Sequence, residues 1–119
     1  MNTIIDAAKQ HFRSKIGNEL KSIEVPEWEV NGEPAKIYFR PSINFLQQEK
    51  ILALADQDKK GEAIVESLIQ RALDAEGNRM FRSANRTELM RSVDPEVISR
   101  VVTQISSADE TGLEDLEKN

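Results

Sequence analysis

The chain has 119 residues, of which 39% are hydrophobic and 31% charged, a composition typical of a globular domain with one modest core. It contains no cysteine, which excludes disulfides, thiolate metal sites and cysteine nucleophiles. The net charge is −5, and no apolar run approaches the roughly 20 residues that span a bilayer. Because the first residues also lack the pattern of a secretory signal peptide, we expect the protein to stay in the cytoplasm.

The net charge is concentrated at the C-terminal end. Residues 107–119 hold five acidic residues and one basic residue, which gives −4 and leaves −1 for the rest of the chain. A nearly neutral body argues against nucleic-acid binding, which needs a basic face to displace counterions from phosphates. Since Leu113 and Leu116 are the large apolar residues of this stretch, we expect one folded domain over residues 1–106 and a flexible acidic tail over 107–119.

The first predicted element is a helix over residues 3–13. Helical spacing places Ile5, Ala8 and Phe12 on one side, and Thr3 or Asn2 can cap the N-terminus. An extended run follows from Leu20 to Val25. Pro26 lacks an amide donor, so the strand either ends there or lies on an edge of its sheet.

Residues 24–41 predict a β-hairpin. Asn31-Gly32 is a strong turn signal because both residues tolerate the positive φ of a type I′ turn, although Pro34 leaves a longer loop open. The return strand covers Lys36–Arg40, and Pro41 terminates it. The hairpin holds the only tryptophan, Trp28, which either anchors the core or, partly exposed, anchors a partner.

Four further helices follow the hairpin. Asn44 with Gln47 forms a capping box at the start of the first, with Ser42 as a rival cap, and Asn85 with Glu88 repeats the spacing at the third. The second covers 62–74, after a break at Gly61, and carries a wide apolar stripe from Ile64 to Leu73. The fourth begins at Asp94-Pro95 and runs to about Ser106. The predicted fold is therefore α+β, with a small β-hairpin packed on a mostly helical domain of about five short helices.

Residue patterns for catalysis or metal binding are weak throughout. His11 is the only histidine and has no partner ligands, and Asp56–Gly61 begins like a calcium loop but has Lys60 and Ser67 where acidic ligands belong. Glycine-rich phosphate loops are absent, and the Asn85-Arg86-Thr87 glycosylation pattern lacks a secretory context. We therefore expect a protein that is not an enzyme and that uses no cofactor and no metal.

The order and spacing of several short motifs resemble those of the tail assembly chaperones of long-tailed, siphovirus-type bacteriophages. The resemblance covers about residues 1–106 and ends before the acidic tail. It rests on Val25-Pro26-Glu27-Trp28, Ile37-Tyr38-Phe39-Arg40-Pro41, Leu73-Asp74-Ala75-Glu76-Gly77-Asn78-Arg79-Met80-Phe81 and Thr87-Glu88-Leu89.

The resemblance implies a non-enzymatic assembly factor that works in the cytoplasm of the infected bacterium and is absent from the mature virion. Such a protein binds the tape measure protein while the tail tube polymerises around it. A longer product, made by ribosomal frameshifting, recruits the tail tube protein in this family, and the present chain corresponds to the short form. A homo-oligomer is possible, whereas nucleic acid and membrane are not expected partners.

The wide apolar stripes suggest where a partner binds. We expect part of one stripe to be exposed and used for the tape measure protein or for self-association. The candidate partner-binding residues are Leu68, Ile69, Ala72, Val97, Val101 and Ile105. The rival interpretation is a small structural or adaptor protein retained in a phage or bacterial particle, and an acidic inhibitor that mimics nucleic acid is a weaker third because the body is nearly neutral.

Overall fold

The computed structural model describes residues 3–17 and 19–118, without the side chains of residues 109–118. One two-stranded antiparallel sheet lies among five α-helices, which confirms the predicted α+β hairpin and helices. In chain order the elements are α1 (Ile4–Ile16), β1 (Lys21–Val30), β2 (Glu33–Phe39), α2 (Phe45–Asp56), α3 (Lys60–Arg71), a 3₁₀ turn (Ser83–Asn85), α4 (Arg86–Ser92) and α5 (Pro95–Lys118).

The hairpin turns through two residues, as predicted from Asn31-Gly32. Asn31 and Gly32 have φ angles of 55° and 81°, and Val30 pairs directly with Glu33. These angles are those of a type I′ turn, whose twist matches the flanking strands. Pro34 therefore does not lengthen the loop, because it pairs with Glu29 inside the ladder.

Strand β1 does not end at Pro26 but continues through it as an edge strand, one of the two predicted alternatives. The register shifts between Val25, which pairs with Ala35, and Glu29, which pairs with Pro34. Pro26, Glu27 and Trp28 thus form a bulge opposite a single step of β2. The missing amide of Pro26 costs no ladder hydrogen bond there, since bulged residues are unpaired.

Helix α3 is the central element of the core. It packs against α2, α4 and α5, and one face of the hairpin completes the same hydrophobic cluster. The buried apolar residues of this cluster are Val25, Ile37, Phe39, Val65, Leu68, Ile69, Ala72, Leu89, Val97, Ile98, Val101 and Ile105. The wide stripe predicted for this helix is therefore a consequence of its several neighbours.

Several helix boundaries differ from the sequence prediction. Helix α1 extends to Ile16 rather than to about residue 13. Helix α3 ends at Arg71 rather than at residue 74, because Ala72 is extended and the backbone of Leu73 pairs with Tyr38 of β2. Gly61 lies in the first turn of α3 rather than between helices. Asn85 does not cap α4; its Oδ1 accepts from the backbone N–H of Arg82 at 2.8 Å and closes the 3₁₀ turn instead. Helix α5 continues past Ser106 to Lys118, since no proline interrupts a stretch rich in helix-forming residues. The prediction that residues 107–119 form a flexible tail is not tested by the structure and stays a prediction.

The apolar sides of α1 and α2 lie largely on the surface. Ile4 and Ile5 expose 89% and 61% of their area, and Phe45 and Leu46 at the start of α2 expose 79% and 73%. Neither helix contains a buried residue. Amphipathic spacing located these helices correctly, but it did not show that the apolar side of each would remain accessible.

Candidate functional site

The structure places all six predicted partner-binding residues in the hydrophobic core. None exposes more than 5% of its surface, and four are completely buried. They are Leu68, Ile69, Ala72, Val97, Val101 and Ile105. That these residues bind a partner stays a prediction, and their side chains are not accessible in the folded protein. The apolar surface that a partner can reach lies elsewhere.

An apolar groove runs along helix α4 on both sides of Leu89 and Val93. One half is a cleft of about 170 Å³ lined by Ile64, Met90 and Pro95, among others. The other half is a cleft of about 210 Å³ between Trp28 and Phe81. Both clefts include Leu89 and Val93, so they adjoin each other, and we call the two together the α4 groove.

Trp28 forms the wall of the α4 groove that comes from the hairpin. Its ring meets Phe81 edge to face, with centroids 6.4 Å apart and planes inclined by 77°. This arrangement brings the positive edge of one ring to the negative face of the other. Trp28 is half-buried against the core cluster and still lines the open groove. Trp28 therefore packs against the core, as the first alternative expects, and the second alternative, that it anchors a partner, stays a prediction.

The bulge in β1 is fastened to helix α5 by an ion pair. The two carboxylate oxygens of Glu27 accept from the guanidinium of Arg100 at 2.5 and 2.6 Å. The hydrogen bond from Arg100 lowers the pKa of Glu27 to about 2, and the pKa of Arg100 is raised in turn. Because Glu27 immediately precedes Trp28, this bidentate contact orients the indole wall of the groove.

A tight turn after α3 positions Phe81. The Oδ1 atom of Asp74 accepts the backbone N–H groups of Glu76 and Asn78, both at 2.9 Å. Gly77 has φ +86°, a conformation that side chains with a Cβ rarely adopt. The D-x-x-G part of the motif therefore builds the turn, and the phenylalanine at its end reaches the groove.

A polar network then holds the segment after this turn against α3. Buried Glu66 accepts from Nε2 of Gln70 at 2.7 Å and forms an ion pair with Arg86. Oε1 of Gln70 accepts in turn from Arg79 at 2.5 Å. Buried polar groups of this kind are stable only when they are paired, and the pairs here fix residues 79–86 beside the groove.

The described residues offer no arrangement suited to catalysis or metal binding at this groove. Its lining is almost entirely aliphatic or aromatic, and His11 lies on the exposed surface of α1. Among the described residues, no group of three or more His, Asp or Glu side chains could hold a metal ion. Within the same ranges, no helix combines the length and hydrophobicity needed to cross a membrane. The arrangement is suited to binding apolar side chains.

Three of the four motifs that carry the family resemblance meet at the α4 groove. Trp28 ends the first motif, Phe81 ends the third, and Leu89 ends the fourth. Sequence reasoning identified these residues separately but did not bring them together. The only indication in the sequence was the possibility that Trp28 is partly exposed, whereas Met90 and Ile64 carried no distinguishing signal.

The arrangement of the hairpin and the helices is similar to the fold of a bacteriophage tail assembly chaperone. One solved structure with a similar fold is the tail assembly chaperone of bacteriophage HK97, which superimposes with a TM-score of 0.63 at 20% sequence identity. The match covers 88% of this chain and 95% of that one. The expected resemblance is therefore confirmed at the level of the fold. No protein-family model and no curated protein sequence matches the chain.

Proposed function

We propose that this protein is a non-enzymatic tail assembly chaperone that binds the tape measure protein while the tail tube polymerises around it. The observation that carries the proposal is the α4 groove, an accessible apolar surface built from the motifs that resemble the family. The shared fold with the HK97 chaperone supports the same assignment.

The physical basis is the recognition of an amphipathic helix. A helix can insert its apolar side chains into a hydrophobic groove, with anchors one turn apart. Trp28 and Phe81 form an aromatic wall at one end of the groove, and Met90 lies at the other with 44% of its surface exposed. Aromatic residues dominate binding energetics, and methionine adapts its shape to different partners. We infer that the groove binds an apolar helical face of the client.

The proposal includes a place and a time of action. The chaperone works in the cytoplasm of the infected bacterium and is absent from the mature virion. A longer form of the same chain brings the tail tube protein to the complex. These points extend what the resemblance implies. Mass spectrometry of purified virions tests the absence from the virion, and recovery of this chain there would favour a structural or adaptor protein instead.

Binding of the phage's tape measure protein to two matched variants tests the groove itself. Met90→Glu places a charge in the groove, whereas Leu52→Glu changes a residue of α2 with a similar exposed fraction of 48%. We expect Met90→Glu to raise the Kd at least tenfold, about 1.4 kcal/mol, because the charge must be desolvated on binding. Leu52→Glu is expected to bind like the wild type. Equal binding by all three proteins, each folded by circular dichroism, would contradict the proposal.

A further inference from the structure

Helix α3 begins with a glycine that its backbone does not require. Gly61 lies in the first turn of the helix, and unlike Gly32 and Gly77 it has no positive φ. Apart from proline, glycine is the least favourable residue in a helix, because it loses the most backbone entropy on folding. The helix would therefore form more readily with almost any other residue at this position.

The missing side chain of Gly61 would point into the α4 groove. Gly61 lines the cleft of about 170 Å³ together with Ile64, Met90 and Pro95, among others, and we call this half of the groove the aliphatic cleft. A Cβ atom added to Gly61 would lie 3.9 Å from the terminal methyl Cε of Met90, which is an ordinary van der Waals contact. Packing therefore leaves room for a side chain here and does not force the glycine either.

The aliphatic cleft has the size and the chemistry to hold one large apolar side chain. An apolar cavity of about 150 Å³ is large enough to bind benzene, and this cleft has a volume of about 170 Å³. Among the described residues that line it, none is charged and only Ser99 has a polar side chain. A charged group would lose its hydration there without gaining a partner, so the complementary group is uncharged.

The second half of the groove gives the same partner another contact. Leu89 and Val93 line both clefts, so large apolar side chains one or two turns apart on a bound helix can enter one cleft each. We propose that Gly61 is a specificity-determining residue, whose missing side chain keeps the aliphatic cleft open for one large, uncharged side chain of that helix. This inference rests on the proposed function and names the group that the groove selects.

The proposal predicts opposite effects on stability and on binding. Gly61→Ala should leave the urea midpoint unchanged or raise it, yet raise the Kd for a soluble fragment of the tape measure protein about fourfold, which corresponds to one buried methylene. Gly61→Leu fills the cleft and should raise the Kd at least tenfold without loss of stability. A residue with a purely structural role would change stability and affinity in the same direction.

A matched control and a rescue variant distinguish a blocked cleft from a distorted helix. Ala7→Leu adds a leucine at an exposed position of α1 that lines neither cleft, and it should bind like the wild type. Adding Met90→Ala to Gly61→Leu removes the side chain that the new leucine meets. The double variant should therefore bind the fragment more tightly than Gly61→Leu alone. Circular dichroism checks that each variant is folded.

Benzene gives a test that does not depend on the client. The chain has three methionines, so isotope-labelled methionine methyl groups give a simple NMR spectrum in which Met90 reports on the aliphatic cleft. Met80 packs against the core cluster, lines neither cleft and serves as the internal reference. Saturating benzene should shift the Met90 signal in the wild type and in Ala7→Leu, but not in Gly61→Leu.

The outcomes separate this inference from the proposed function. If the wild type binds the fragment, Met90→Glu does not, and Gly61→Leu binds like the wild type, the inference is overturned while the groove remains the client site. If the wild type does not bind the fragment but benzene shifts Met90 in the wild type alone, the open cleft is supported and the proposed client is wrong. Equal benzene shifts in the wild type and Gly61→Leu, or none in either, would overturn the inference whatever the client.

Discussion

Replacing Leu68 by alanine should strongly destabilise the protein, because this residue lies in the core and not on a binding surface. Leu68 is completely buried within the cluster around α3. The substitution removes three carbon atoms, worth about 0.8 kcal/mol each, and the cavity left behind brings the loss to about 3–4 kcal/mol. That is a large part of the roughly 5–15 kcal/mol that stabilises a typical domain.

Urea unfolding, followed by both Trp28 fluorescence and far-UV circular dichroism, measures this loss. Met90→Ala is the comparison. Because 44% of the surface of Met90 is exposed, this substitution should cost about 1 kcal/mol or less. A Leu68→Ala protein no less stable than Met90→Ala would refute the placement of α3 in the core. The same reasoning predicts that Leu68→Asp does not fold, so it cannot serve to test partner binding.

Three further substitutions test the local structure around the α4 groove. Glu27→Gln should destabilise the protein at neutral pH but not near pH 2. The pKa of Glu27 in the folded state lies below its ordinary value of 4.5. The stabilisation from its pair with Arg100 is therefore present above pH 4.5 and is lost as the pH falls towards 2. Urea midpoints of both proteins across this range measure the difference. Gly77→Ala should cost about 1–2 kcal/mol in urea unfolding because φ is +86°, whereas Gly61→Ala, in the first turn of α3, should be neutral or stabilise by up to about 1 kcal/mol. Asp94→Ala should cost about 1 kcal/mol in thermal or urea unfolding, since Asp94 accepts the N–H of Glu96 at 2.9 Å.

Each of these three predictions has its own contradicting result. A stability gap between Glu27→Gln and the wild type that is independent of pH would mean that the ion pair does not form in solution. Equal effects of alanine at Gly77 and Gly61 would mean that the turn does not require a positive φ. An unchanged unfolding midpoint in Asp94→Ala would show that the start of α5 is capped in another way.

Local signals in the sequence predicted the elements of this fold where neighbouring residues alone decide the conformation. Asn31-Gly32 fixes a two-residue turn, and Asn44 with Gln47 forms the predicted capping box, with bonds of 2.9 and 3.2 Å in the two directions. Asp94-Pro95 starts α5 at the expected position. In each case the hydrogen bonds join residues at most three positions apart, so the sequence contains the whole interaction.

Features that depend on distant partners were not predictable in the same way. Helical spacing identifies an apolar side, but whether that side is buried depends on which other element covers it. The stripe of α3 is covered by three helices and the hairpin, while those of α1 and α2 remain accessible. The bulge at Glu27 likewise depends on Arg100, which lies 73 residues further along the chain. The sequence therefore assigned the candidate partner-binding residues to positions that are buried in the core, and the α4 groove is recognisable only in the packed structure.

The measurement that tests the central claim most directly is a fluorescence titration of the sole tryptophan with a soluble fragment of the tape measure protein. Trp28 lines the α4 groove, so insertion of an apolar helix should exclude water from the indole and shift its emission to shorter wavelengths. The shift should saturate in the wild type and in Leu52→Glu and should be lost in Met90→Glu. Saturable binding that leaves the emission of Trp28 unchanged would contradict the assignment of the groove as the client site.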